Sequence, residues 1–409
     1  MAGRLRLPVA ARVRLRLTPW WWRVAAIFVA SRVVSTAILL VAAARQGANP
    51  WTGPSPSYPD FATIWDGTWY RIIAAAGYPS VLPVTDDGRI GENAWAFMPV
   101  YPGVVGVLQR ATGLEFGPLA VLVAAAFALG AALVFYRLMR RRLPEGSAYF
   151  AVVLFCVAPL SPILQVAYAE SMQLFFLLLA LLLLLDRRYV LMVPVVAVMA
   201  LTRPSGLAFA LLLLLHLIHR FATRRRDPFP LRQRIEAVGL GLFTALCGAA
   251  WPLIAWAATG LPTAYTDTEL AWRAPYIGDV ELVPFTPWIQ GAEWWMRWLV
   301  PSEWSLPVGA LLLVVVLLGF VAFLFSPWAK RLGVDLRLWL VAYALYLLAV
   351  FFPQSSTFRL LMPLAPGLGA LAVPRALGWR VLLVLLGIAG QVVWVRLGWW
   401  VDGADWTPP

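Results

Sequence analysis

The sequence predicts an all-α polytopic integral membrane protein, and three observations carry that prediction. Of the 409 residues, 61% are hydrophobic and only 13% charged, and the mean hydropathy is +0.77, outside the range of soluble globular domains. Apolar runs close to the ~20 residues needed to cross ~30 Å of hydrocarbon recur along nearly the whole chain. These runs are continuous, whereas a membrane β-barrel alternates apolar and polar residues in period 2.

The basic residues place the elements in order. Arg4, Arg6, Arg12, Arg14, Arg16 and Arg23 lead into a first span at 24–44. Ala42-Ala43-Ala44 has the small residues of a signal-peptide cleavage site. The apolar run is longer than a signal peptide's ~7–15 residue core, which favours an uncleaved anchor. Further clusters are Arg137 to Arg142, Arg187-Arg188, Arg220 to Arg234, Lys330-Arg331-Arg337 and Arg375-Arg380. With all of them cytoplasmic, spans fall at 117–138, 147–165, 169–185, 189–202, 205–221, 236–258, 307–326, 336–352, 358–373 and 380–397. The expectation is about eleven crossings, with the N-terminus inside and the C-terminus outside. The piece 97–110 carries Pro99 and Pro102 and is short for a crossing, so it reads as an outer re-entrant or interfacial helix. The pair 189–202 and 205–221 meets at Thr202-Arg203-Pro204-Ser205 and reads as two spans or as one broken helix.

The acids agree with this orientation. Asp60, Asp66, Asp86, Asp87, Glu92, Asp267, Glu269, Asp279, Glu281, Glu293 and Glu303 all fall in two long outer loops, 45–96 and 259–306. Those loops are rich in Trp, Tyr and Pro, the composition of segments at a membrane interface. The chain, 1–409, reads as a single membrane-embedded domain without a soluble domain, coiled coil or short repeat. Its net charge of +13 follows from the cytoplasmic arginines, so it is a topology signal and not a nucleic-acid footprint. Cys156 and Cys247 lie inside apolar runs and read as packing residues. His216 and His219 share a helix end beside Arg220 with no carboxylate nearby in sequence, which argues against a metal there.

A few charges stand out against this apolar background. Trp65-Asp66-Gly67-Thr68-Trp69-Tyr70 opens a helical pattern that Gly77 and Pro79 end. Asp66 reads as the helix cap, with Trp65 and Trp69 as interfacial anchors, or as a carboxylate held ready for chemistry. Asp60, in Pro59-Asp60-Phe61, reads as a turn residue. Glu170, in Tyr168-Ala169-Glu170-Ser171, precedes a leucine-rich span, and intramembrane acids usually face a cavity. Arg203 sits inside an apolar region, where insertion costs ~2.5–3.5 kcal/mol and a partner is expected. That partner is either Glu170 or an anionic ligand, toward which Pro204 would aim the next helix's free N–H groups. Arg359, in Thr357-Phe358-Arg359-Leu360, is another lone arginine at a span's outer mouth and either snorkels to headgroups or binds the same anion. None of these arginines was used to set the orientation, yet Asp66, Glu170, Arg203 and Arg359 all fall at the outer face. Two guanidiniums and two carboxylates at one depth point to a phosphate-bearing lipid and a hydroxyl-bearing acceptor.

These residues resemble the PIG-V-like mannosyltransferases of the GT-C superfamily. The resemblance rests on Trp65-Asp66-Gly67-Thr68-Trp69-Tyr70 with Gly77-Tyr78, Phe97-Met98-Pro99-Val100-Tyr101-Pro102, Tyr168-Ala169-Glu170-Ser171, Thr202-Arg203-Pro204-Ser205-Gly206 and Phe358-Arg359-Leu360 with Pro363 and Pro366. It covers about residues 24–375, in the family's order. The chain departs from the eukaryotic pattern in having Trp69 or Tyr70 where a His commonly follows the Trp-Asp pair, and so is closer to bacterial members. The resemblance implies a GT-C-type membrane enzyme of the plasma membrane that transfers mannose from a polyprenyl-phosphate donor, with inversion, to a lipid or glycan acceptor on the extracytoplasmic face. Asp66 would be the general base, and Arg203 and Arg359 would hold the phosphate. Glu170, Trp65, Tyr70 and Tyr168 would line the substrates. No cofactor is expected: Asp267-Thr268-Glu269 spaces two acids, but no His or second cluster accompanies them for a metal. The other functional class that fits is a transporter or flippase of a lipid-linked sugar. Such proteins often show matched broken helices in two halves, and the sequence offers no counterpart to the 189–221 break.

Overall fold

A computed structural model describes residues 18–278 and 281–401. Among these residues every regular element is helical, apart from one isolated bridge between Val84 and Ile90. The helices used below are α1 (Trp20–Arg45), α2 (Asp66–Ala76), α3 (Val100–Thr112), α4 (Phe116–Arg140), α5 (Glu145–Val157), α6 (Glu170–Leu185) and α7 (Tyr189–Ala200). They continue with α8 (Gly206–Thr223), α9 (Leu231–Thr259), α10 (Ala264–Ala271), α11 (Pro287–Met296), α12 (Ser302–Phe325), α13 (Val334–Val350) and α14 (Leu377–Trp394). Six helices are long and apolar enough to cross a membrane: α1, α4, α8, α9, α12, and α14 with its extension to Trp399. This is a multi-pass membrane protein. Arg4 to Arg16 and Asp279 lie outside the described residues.

Several expected spans are shorter or broken, and proline is the physical cause. The run 147–165 is helical only to Val157, and Pro159 and Pro162 turn it into a short 3₁₀ segment, Ser161–Gln165. The run 358–373 is not one helix. It is a helical turn Thr357–Leu360, a 3₁₀ stretch Met362–Gly367 holding Pro363 and Pro366, and a last turn Leu368–Leu371. Proline lacks the N–H and clashes with the preceding turn, so neither run continues as an α-helix. Between α7 and α8 the chain breaks at Leu201–Ser205; both helices pack on α9, with α7 also against α6 and α8 also against α13. The stretch 97–110 becomes the 13-residue α3, ended by Gly113 in the left-handed conformation at φ 71°.

Ion pairs gather one set of helix ends. Arg23 at the start of α1 meets Glu145 at the start of α5, at 3.2 Å. Arg141 after α4 meets Asp186 after α6, at 2.8 Å. Asp227 joins Arg187 and Arg220 across the α6–α7 and α8–α9 turns. His216 is not without a carboxylate, because the fold brings Asp335 of α13 to 2.7 Å of its ring, with Tyr189 on the other nitrogen at 2.9 Å. Glu170 is the first residue of the 16-residue α6 and Asp186 its C-cap, so the site described below lies ~24 Å from this basic end.

Most loop aromatics are buried or half-buried, whereas Phe285, Trp298 and Trp304 are exposed. Trp65 and Trp95 are buried. The Trp95 and Trp251 rings pack 5.0 Å apart, tilted by 43°, and the Trp251 Nε1–H donates to the Trp95 carbonyl at 2.9 Å. A ring on α9 thereby fastens the loop between α2 and α3. Cys156 is buried, Cys247 half-buried, and both are free thiols.

Candidate functional site

Asp66 is the first residue of α2 and makes no cap with its side chain. Its carboxylate instead pairs with Arg359 at close range and with Arg203 at 3.7 Å. Glu170 pairs with Arg203 at close range and with Arg359 at 3.4 Å. Arg359 therefore does not snorkel: its residue is only 8% exposed, with Asp66 at 6% and Glu170 at 4%. Each residue comes from a helix end. Glu170 starts α6, Arg203 occupies the break after α7, and Arg359 sits on the turn that follows α13. Isolated charges at this depth cost several kcal/mol each, so mutual pairing is the condition for burying all four.

Two tyrosines frame the quartet. The Tyr70 hydroxyl accepts from Arg203 Nη1 at 3.4 Å. The Tyr168 hydroxyl accepts the Asp66 backbone N–H at 3.2 Å, and its ring faces the Arg359 guanidinium at 5.2 Å. Burial holds the Tyr70 phenol well above its usual range, so it remains a neutral hydrogen-bonding group. Of the residues expected from sequence, Asp66, Glu170, Arg203, Arg359, Tyr70 and Tyr168 come together. Trp65 stands apart. Its Nε1–H donates to the Trp399 carbonyl at 2.9 Å, and its ring packs against Trp51 at 4.4 Å. Trp65 also holds φ 59°, ψ −126°, a backbone region that costs a non-glycine residue ~1–3 kcal/mol and persists only where its surroundings enforce it. The enforcement is visible: the Trp399 Nε1–H donates to the Phe61 carbonyl at 3.1 Å, so two indoles clamp the entry to α2.

A cavity opens beside the quartet, with Glu170, Arg203 and Arg359 on its wall. Asp66, Tyr70 and Tyr168 do not line it; they stand behind the arginines. Two buried acceptors on this wall have no partner, Glu170 Oε2 and Gln173 Oε1. Gln173 is fixed by its amide N–H, which donates to Ser205 Oγ at 2.6 Å. Facing them are Glu269, which the sequence reading weighed only as a metal ligand, and residues it passed over: Tyr265 and Arg273 from α10 and its end, and Tyr343 and Tyr346 from α13. Burial raises the Glu269 carboxyl, against the opposing pull of Arg273 and a hydrogen bond from Tyr265. The spacing of Tyr265, Glu269 and Arg273 at i, i+4, i+8 was the available signal, since it puts all three on one helical face.

Asp267 and Glu269 do not act together. Two residues apart on a helix they diverge, and Asp267 instead accepts from Thr263 Oγ at 2.7 Å. Among the described residues no group of three His, Cys, Asp or Glu converges as for a metal. Asp60, expected in a turn, lies in the one-turn helix Tyr58–Phe61, exposed and bonded to the N-cap Ser57.

No family model matches the chain, and no curated protein matches it. Its shape has similarity to solved membrane-enzyme structures. One is ArnT from Cupriavidus metallidurans bound to undecaprenyl phosphate, 16% identical, TM-score 0.49, covering 88% of this chain and 62% of that one. Another is the Archaeoglobus fulgidus oligosaccharyltransferase in complex with Zn and sulfate, 15% identical, TM-score 0.46, covering 90% and 52%. A third is the archaeal oligosaccharyltransferase AglB from Archaeoglobus fulgidus with an inhibitory peptide and a dolichol-phosphate, 12% identical, TM-score 0.44, covering 92% and 56%. The chain thus spans between about half and three-fifths of these proteins.

Proposed function

We propose that this protein is a GT-C-type glycosyltransferase that moves a hexose from a polyprenyl-phosphate-linked donor to a hydroxyl of a lipid or glycan acceptor, with inversion. Mannose is the sugar favoured by the resemblance in its motifs, and the extracytoplasmic face of the plasma membrane is the side favoured by its arginines. The observation that carries the reading is the paired quartet beside a cavity, in which Asp66, Glu170 and Arg359 are buried and Arg203 is half-buried.

The quartet is charge-balanced when empty. A phosphate entering the cavity competes with the carboxylates for Arg203 and Arg359, which form bidentate pairs with either anion. The carboxylates so released need hydrogen-bond donors, and hydroxyls of sugar and acceptor supply them. Asp66, which stands behind the arginines in the empty cavity, is uncovered as Arg359 turns to the phosphate, and takes the proton of the acceptor hydroxyl as its oxygen bonds to the anomeric carbon. The bond from that carbon to the phosphate oxygen breaks, and the two arginines stabilise the charge left on the lipid phosphate. Glu170 holds Arg203 and offers Oε2 to a hydroxyl.

The test is transfer from labelled polyprenyl-phosphate mannose to membrane lipids by purified protein in lipid nanodiscs, with mass analysis of the product. A hexose-extended product lost in Asp66→Asn supports the reading. Folded, donor-binding protein that makes no product overturns it. One observation favours a second reading, passage of a lipid-linked sugar: the broken segment 357–371 supplies the later counterpart to the 201–205 break that the sequence did not reveal. Movement of intact donor between leaflets without product identifies that case.

A further inference from the structure

We propose that Glu269, supported by Tyr265 and Arg273, is the hydroxyl-reading wall of this cavity and receives the sugar ring of the lipid-linked donor. The inference rests on the glycosyl-transfer reading and adds to it the group that recognises the sugar.

Glu269 lines the same cavity as Arg203 and Arg359, and both Arg203 and Asp66 are within electrostatic reach of its carboxylate. One headgroup therefore spans from the arginines to Glu269. Arg273 is immobilised by donating to the Val350 carbonyl at 2.5 Å, at the last residue of α13. That bond fixes α10 against the wall carrying Tyr343 and Tyr346. Tyr343 is itself anchored, its hydroxyl donating to the Leu360 carbonyl at 2.8 Å, one residue beyond Arg359. The phosphate side and the Glu269 side are thus parts of one braced enclosure.

Charge selects the ligand class. Arg203, Arg273 and Arg359 are matched by Asp66, Glu170 and Glu269, so no cation is spare beside Glu269, and the part of a ligand that meets it has to be a neutral hydrogen-bond donor while any phosphate lies at Arg203 and Arg359. A ligand that carries hydroxyls next to its phosphate gives Glu269, Glu170 Oε2 and Gln173 Oε1 the donors they require. A hexose joined to a lipid phosphate has that combination, and the tyrosine rings give its apolar face a surface to lie on. The groups facing Glu269 are Tyr265 and Arg273 on its own segment, Tyr346 of α13, and Arg203 across the cavity with Asp66 behind it.

Glu269→Gln and Tyr265→Phe, in full-length protein in nanodiscs, test the proposal with polyprenyl-phosphate hexoses that differ at single hydroxyls. Losing a charge-assisted hydrogen bond of this kind corresponds to a fall in kcat/KM of about 10- to 100-fold. Glu269→Gln is expected to show that fall with the preferred epimer and little change with the donor lacking the contacted hydroxyl. Tyr265→Phe keeps the carboxylate and is expected to lose less. Burial raises the Glu269 carboxyl, so wild-type kcat/KM should rise with pH through a range above that of an ordinary glutamate, a limb absent in Glu269→Gln. The same donors are compared by the melting-temperature rise they induce, which reads binding without turnover. Glu269→Gln protein that discriminates among donors as the wild type does, in transfer or in binding, overturns the proposal; so does an equal loss with every donor. Donor discrimination in binding that depends on Glu269, with no transfer by any protein, overturns glycosyl transfer and leaves the sugar-binding wall standing.

Discussion

Asp66 has two roles that a single substitution mixes, and a double variant separates them. Replacing it with Asn removes the proposed base, with an expected fall in transfer of ~10²–10⁴-fold. It also leaves the buried Arg359 with only the longer pairing to Glu170 at 3.4 Å, at a cost in stability of up to ~3–5 kcal/mol. Adding Arg359→Gln to Asp66→Asn is expected to recover most of the melting temperature in detergent and none of the transfer. Recovery of transfer by the double variant would remove Asp66 from the chemistry. Arg203→Lys keeps the charge but loses the planar fork that meets Glu170 and a phosphate together, and is expected to weaken donor binding about tenfold. At this scale the sequence was legible where a charge was out of place. Asp66, Glu170, Arg203 and Arg359 each interrupt apolar surroundings, and the fold brings them together. Glu269 and Arg273 were hidden because they sit in a loop already full of charges, and Gln173 because an uncharged amide carries no insertion penalty to notice. The capped-helix reading of Asp66 failed for a physical reason: two guanidiniums outcompete backbone N–H groups for one carboxylate.

The helices meet at the site through small residues and an indole clamp. A Cβ on Gly206 would stand 2.7 Å from the Gly248 Cα, and one on Gly248 2.7 Å from the Leu207 nitrogen. The start of α8 and the middle of α9 therefore touch backbone to backbone, beside Arg203. Gly248→Ala is expected to cost ~1–3 kcal/mol through overpacking, read as a lower melting temperature. The clamp makes a different prediction. Trp399→Ala leaves the strained Trp65 backbone unsupported, so kcat should fall while donor KM holds, because the arginines lie on other segments. Element boundaries were only partly readable from sequence. Continuous apolar runs gave α1, α4 and α12 with small errors, whereas at 147–165 and 358–373 hydropathy outvoted the prolines that break those helices.

Across the whole molecule, the arginine pattern becomes a test of sidedness. The ion pairs collect the basic turns at one end of the bundle and the quartet at the other. In a background with Cys156 and Cys247 replaced by Ala, a cysteine at exposed Asp60 should react with an impermeant maleimide on intact cells. One at exposed Arg225 should react only after permeabilisation. The reverse pattern would put the quartet on the cytoplasmic side and remove the extracytoplasmic assignment.

The clamp on α2 has a bearing on when this protein becomes competent during its own synthesis. Gln46 exchanges two hydrogen bonds with Val401, at 2.7 and 2.9 Å, and Ser35 donates to Gln391 at 2.7 Å. Trp65 and Phe61 wait for Trp399, some 334 and 338 positions further along the chain. The segment bearing Asp66 leaves the ribosome early, yet its supports are made hundreds of residues later. A nascent chain halted before Trp399 therefore has Asp66 but not the two indole contacts that hold the entry to its helix.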